Sequence, residues 1–144
     1  MDHVVYLDAK AKELDLLLSA KKTMIIRGAA GRKLPYGRVN EGDILYFINN
    51  NAEGVILAMA KVKSVLNSDK MNEEESTQLI NNHQTKLQLT KQQFDRWAGK
   101  RYLVLIEVTG VKKVEPFQID KSNYGNMDDW LPVEQIEKVK IRAK

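Results

Sequence analysis

Apolar residues in this chain recur with two different periods, and the alternation between them marks out its elements. His3 to Tyr6 is a short run of β-branched and aromatic residues that reads as a strand. From Asp8 the pattern turns helical. Leu7, Ala11, Leu14 and Leu17 or Leu18 fall on one face, Lys10, Lys12, Glu13 and Asp15 fill the other, and Asp8 is the expected N-cap. This helix should end near Ser19, with a strand starting over Thr23 to Arg27 and another over Asp43 to Asn49. Val55 to Leu66 is a long strand, with Ala58, Ala60 and Val62 on one side and Met59, Lys61 and Lys63 on the other. Asn67-Ser68-Asp69 breaks it. Asn72 to Gln84 is polar and helix-forming, with Glu73, Glu74 and Glu75 near the N-terminus, where the macrodipole favours acids. Thr90 to Ala98 predicts a further short helix, capped by Thr90 and ended by Gly99. Tyr102 to Val108 is the strongest strand and, being almost wholly apolar, should be central. Gly110 allows a turn into Val111 to Phe117, and Val139 to Ile141 is placed to close the sheet.

Strands outnumber helices, so the expected fold is mixed α+β and mainly β, a closed or nearly closed barrel with two or three helices packed outside. Repeats, linkers and low-complexity segments are absent from the sequence, and residues 1–144 read as one domain. Cysteine is absent as well, which excludes a disulfide framework, a thiolate nucleophile and a Cys-type zinc site. His3 and His83 are the only imidazoles and lie far apart in sequence, so neither a metal nor another cofactor is expected. The first residues lack a signal pattern and no apolar run approaches a bilayer span, so the expectation is a cytoplasmic protein without a membrane partner. The net charge of +4 permits a nucleic-acid partner without requiring one.

Local clustering sharpens that reading. Residues 21–38 carry Lys21, Lys22, Arg27, Arg32, Lys33 and Arg38 and not one acid, with glycines at 28, 31 and 37. Cations beside a backbone that glycines leave uncovered suit phosphate, which needs charge and free N–H groups. Lys22, Arg27, Arg32, Lys33 and Arg38 are therefore the candidate phosphate ligands; a solvated basic loop is the plainer reading. A second segment, 120–132, combines Tyr124, Asn126, Asp128, Asp129 and Trp130. Tyr124 or Trp130 could stack a base while Asn126 or Asp129 reads its polar edge. Trp130 could instead plug one end of the barrel, with Asp129 capping a short helix over Pro132 to Ile136. The adjacent carboxylates of Asp128 and Asp129 point apart, which disfavours a magnesium site. Glu107, inside the central strand, must pair with a cation or neutralise, and Lys22 or Arg27 is a possible partner.

The Lys22-Thr23 strand ending in Arg27, a glycine-containing loop, Gly42-Asp43 leading a strand, Gly54 before the Ala-Lys-Val strand, and Tyr102 to Val108 occur in an order that resembles the ASCH branch of PUA-like domains. The resemblance spans almost the whole chain. It implies a PUA-like small β-barrel associated with RNA or modified nucleosides, and a cleft between the Lys22–Arg27 strand, the following loop and neighbouring strand ends. RNA or a modified nucleoside is thus the expected partner, with DNA as a possible substitute for RNA. One enzymatic subgroup resembles small amidohydrolases that cleave N4-acylated cytidine with a lysine, a threonine three residues later and a distant glutamate. Matching the lysine to Lys22 puts Ile25 at the threonine's position and Thr85 nearest the glutamate's, so no catalytic residue is assigned. A nucleoside amidohydrolase, a ribonuclease using the same cleft, and a protein-interaction module built on the leucine-rich first helix are the alternative functions.

Overall fold

In the computed structural model, which describes residues 1–122, 124 and 129–141, the elements in chain order are β1 (Asp2–Leu7), α1 (Glu13–Leu18), β2 (Met24–Ala29), β3 (Ile44–Asn49), β4 (Val55–Asn67), α2 (Glu73–Leu87), α3 (Lys91–Trp97), β5 (Tyr102–Gln118) and β6 (Trp130–Glu134). A 3₁₀ turn follows at Ile136–Lys138. The strands form one sheet in the order β2-β5-β4-β3-β1-β6. Every pairing is antiparallel except β1 with β3. β2 and β6 are the two edges, so the sheet curls into a half-barrel that backbone hydrogen bonds do not close.

β4 and β5 form the long ribbon at its centre, and their register slips at three places. Such bulges bend a strand and increase its twist, which is how a sheet this small curls. Gly110 lies at one of them. It does not turn the chain: β5 runs straight through it at φ +63°, taking three residues from Thr109 to Lys112 while β4 takes two from Lys61 to Met59.

The two faces of the sheet are filled by alternation along each strand. The concave face holds Val5, Ile25, Leu45, Phe47, Ala58, Ala60, Val62, Val104 and Ile106, with Leu14 and Leu17 of α1 packed on them. α2 and α3 cover the other face of β2 and β5, where Met24, Ile26, Leu103 and Leu105 meet Ile80, Leu87 and Trp97. Both helices begin with the reciprocal capping boxes that their sequences specify, Asn72 with Glu75 and Thr90 with Gln93.

Three expectations need correcting. α1 starts at Glu13 and not after Asp8, because Lys12 takes a left-handed conformation (φ 54°) that a helix cannot include, and the Asp8 carboxylate instead accepts from the Ala11 N–H within the preceding turn. Residues from Trp130 onward form strand β6 and not a helix capped by Asp129. Pro132 is tolerated there because β6 is an edge strand. Val139 to Ile141 adds no strand, only a single bridge from Lys140 to Ile119.

Candidate functional site

Strand parity decides where the basic segment points. Ile25 faces the concave core, so Arg27, two residues on, faces the same way. It sits at the sheet's open seam, and its guanidinium reaches across to β1, the strand beside the far edge. Nη2 donates to the Tyr6 carbonyl on β1 at 2.6 Å and Nη1 to the Ile26 carbonyl at 2.7 Å. The head also lies 5.7 Å from the Trp130 ring centroid. Nε is 3.2 Å from Asp129 Oδ2, within ion-pair range, yet it has no aligned hydrogen-bond acceptor among the described residues although it is buried. The ion pair is thus Coulombic and poorly directed. Arg27 closes with a side chain what the sheet leaves open.

A cleft of about 270 Å³ opens beside it, lined by Arg27, Gly28, Lys33, Leu34, Arg96, Trp97, Lys100, Asp129 and Trp130. Four cationic side chains face one carboxylate. They come from β2, the loop after it, α3 and the turn before β5. Gly28 forms part of the cleft's wall, where a Cβ would stand 2.6 Å from Leu103 Cδ2 and 3.1 Å from the Tyr102 carbonyl. The backbone approaches β5 that closely only because this residue is glycine. A smaller pocket of about 130 Å³ adjoins the cleft and shares Arg27, Arg96, Trp97 and Asp129 with it; Asp8, Glu13, Asn50 and Gln93 contribute to the rest.

Of the phosphate candidates, Arg27 and Lys33 line the cleft. Arg32 and Arg38 are exposed and do not. The Arg32 guanidinium lies 5.7 and 5.6 Å from the Tyr36 and Tyr102 rings. Lys22 requires a correction. It is 1% exposed, its Nζ lies 3.3 Å from Glu13 Oε2, and it donates to the Leu87 carbonyl. Burial pulls its pKa below the ordinary lysine value, and the Glu13 carboxylate opposes that shift. Lys22 is a sealed structural cation and cannot meet a phosphate.

The base-binding candidates separate in the same way. Trp130 is 1% exposed, so neither ring face is open to a base. Its Nε1–H donates to His3 Nδ1 at 3.1 Å, and His3 Nε2 meets Asp43 Oδ2 at 2.8 Å. Because an indole N–H can only donate, His3 Nδ1 must accept and the imidazole proton lies on Nε2, towards Asp43. Burial lowers the His3 pKa, with the hydrogen bond to Asp43 opposing. Trp130 is a buried member of the core. Tyr124 packs with Val4, Ile48 and Leu131 on the opposite face of the sheet from Trp130, away from the cleft. Asn126 lies outside the described residues. Asp129 does line the cleft, 41% exposed and shared between Arg27 and Arg96 Nη2, the latter at 4.0 Å.

Arg96 and Lys100 are cleft residues that the sequence reading missed. The signal was present: residues 96–101 hold Arg96, Lys100 and Arg101 with no acid, but the pattern there registers first as a helix end. Glu107 finds its cation in Lys86, at 2.7 Å, and not in Lys22 or Arg27; that hydrogen bond holds its pKa below the ordinary glutamate value. Ile25, at the position where the amidohydrolases carry threonine, is wholly buried in the core. The leucine-rich face of α1 is core as well, with Leu14 and Leu17 buried. Among the described residues no cluster of three metal-ligating side chains occurs, and no helix is long and apolar enough to cross a membrane.

No family sequence model and no curated protein sequence matches this chain. Solved structures do. The crystal structure of ASCH from Zymomonas mobilis superposes with a TM-score of 0.68 at 15% identity, covering 95% of this chain and 92% of that one. Two single-residue variants of the same Zymomonas mobilis protein match with the same TM-score and identity. At that identity the likeness speaks for architecture alone. It agrees with the half-barrel sheet and the three helices around it: this chain has the fold of an ASCH domain.

Proposed function

We propose that this protein binds RNA, or a phosphate-bearing modified nucleoside, in the basic cleft between β2, the loop after it and α3. The observation that carries this reading is the convergence of Arg27, Lys33, Arg96 and Lys100 on one small concavity beside Gly28. Cations drawn from separate elements of the sequence repel one another, and an anion offsets that repulsion. Recognition is led by phosphate, because the two aromatic rings lining the cleft, Trp97 and Trp130, are both buried and offer no stacking platform.

The test is binding of a short single-stranded RNA across a range of salt concentrations. Affinity should fall steeply with salt, and Arg96→Ala and Lys100→Ala should each weaken it, whereas Arg38→Ala, outside the cleft, should not. Affinity independent of salt would overturn the reading. The same titration with DNA measures whether the sugar matters, and a thermal-shift screen of modified nucleosides tests the nucleoside form of the ligand.

A further inference from the structure

The arrangement around Asp129 deepens that reading, on which it rests. Arg27 is held in place by two backbone carbonyls, which take two of its five N–H groups, and its Nε–H, beside the Asp129 carboxylate, is buried without an aligned acceptor among the described residues. Arg96 approaches from α3, its guanidinium lying 4.4 Å from the Trp97 ring centroid. Asp129 stands between the two arginines and satisfies neither: it sits 3.2 Å from Arg27 Nε off-axis and 4.0 Å from Arg96 Nη2. Its backbone carbonyl is fixed by the Tyr6 N–H, while its carboxylate is 41% exposed and free to yield its place.

We propose that the carboxylate of Asp129 occupies the seat of a phosphate monoester, and that the ligand of this cleft is the phosphorylated end of an RNA strand or a free nucleotide. A tetrahedral phosphate monoester has three terminal oxygens and so can offer a separate acceptor to Arg27, Arg96 and a lysine, where a planar carboxylate has two. A dianion also displaces a monoanion more readily than an internal phosphodiester, itself a monoanion, would. The seat lies where the 270 Å³ cleft meets the 130 Å³ pocket. The smaller pocket has about half the volume of the cleft, so there is less room beyond the seat than before it, which favours a strand end over a strand that continues.

The experiment compares RNAs of one sequence bearing a 5′-phosphate, a 3′-phosphate or hydroxyls at both ends, together with a nucleoside monophosphate, on the full chain. One phosphorylated RNA should bind about tenfold tighter than the hydroxyl-ended strand. Arg96→Ala should abolish that preference, and Asp129→Asn, which removes the competing charge at constant shape, should enlarge it. Competition by the nucleoside monophosphate at equal affinity identifies a free nucleotide as sufficient; its failure to compete identifies the RNA end. Equal binding of all three RNAs, in the wild type and in Asp129→Asn, would overturn the proposal and leave RNA binding by the cleft intact. No binding of any of them at low salt would overturn both.

Discussion

Replacing Lys22 with methionine should destabilise this protein by about 3–5 kcal/mol, the usual consequence of leaving one partner of a buried ion pair uncompensated. The structure supplies the reasons. Lys22 and Glu13 have side chains only 1% and 6% exposed, with Nζ 3.3 Å from Oε2. Methionine keeps the length and apolar stem of the lysine, so the substitution isolates the loss of charge. Glu13 would then keep one hydrogen bond, from the Asp8 N–H to Oε1 at 3.0 Å, and the Leu87 carbonyl would lose its side-chain donor. For a domain of this size about 1 kcal/mol corresponds to roughly 3 °C, so Tm should fall by about 10–15 °C. Thermal and urea denaturation measure it. The double variant Lys22→Met with Glu13→Gln restores neutrality while the amide oxygen still accepts from Asp8, and it should lie within about 1 kcal/mol of the wild type. RNA affinity, measured well below either Tm, should be unchanged. A Tm loss under about 3 °C for the single variant, or a double variant as unstable as the single, would refute the reasoning; lost RNA binding in a folded Lys22→Met protein would refute the assignment of Lys22 to structure.

Gly28→Ala should destabilise by about 1–3 kcal/mol through overpacking, because its Cβ would stand 2.6 Å from Leu103 Cδ2 and close to a backbone carbonyl that cannot retreat; a urea midpoint equal to the wild type would contradict this. His3 links stability to pH. Its folded pKa lies below the ordinary 6.5, so as pH falls through 6.5 the unfolded chain takes up a proton that folded His3 refuses, and stability drops until the folded pKa is passed. His3→Gln should flatten that part of the pH profile, and an unaltered profile would show that His3 is not the group responsible. Incubation with an N4-acylated cytidine should give no turnover, because the nucleophile's position holds the buried Ile25; turnover at about 1 s⁻¹ or faster would show that another residue, Thr23 foremost, supplies the hydroxyl.

The sequence by itself determined the elements and much of the chemistry that could be present. Period-two alternation in Val55 to Leu66 and the apolar run Tyr102 to Val108 fixed two central strands, because a half-buried pleated surface admits little else. Asn72 and Thr90 specified helix starts, since capping is decided within four residues. The same local logic failed where a conformation is imposed from a distance. Lys12 in the left-handed region shortened α1, and pairing with β1 turned Trp130 to Glu134 into a strand although Pro132 suggested a helix start. The site divided along the same line. That cations cluster between residues 21 and 38 was legible in one dimension. Which of them line the cleft was not. The packing of α1 and α2 around it sealed Lys22 against Glu13 and Leu87, strand parity brought Arg27 to the seam, and α3, some seventy residues later in the chain, delivered Arg96 to the same cleft. Spacing along a chain records which side chains can share an element. Only the tertiary fold decides which elements meet, because that depends on burying the faces of the whole sheet at once.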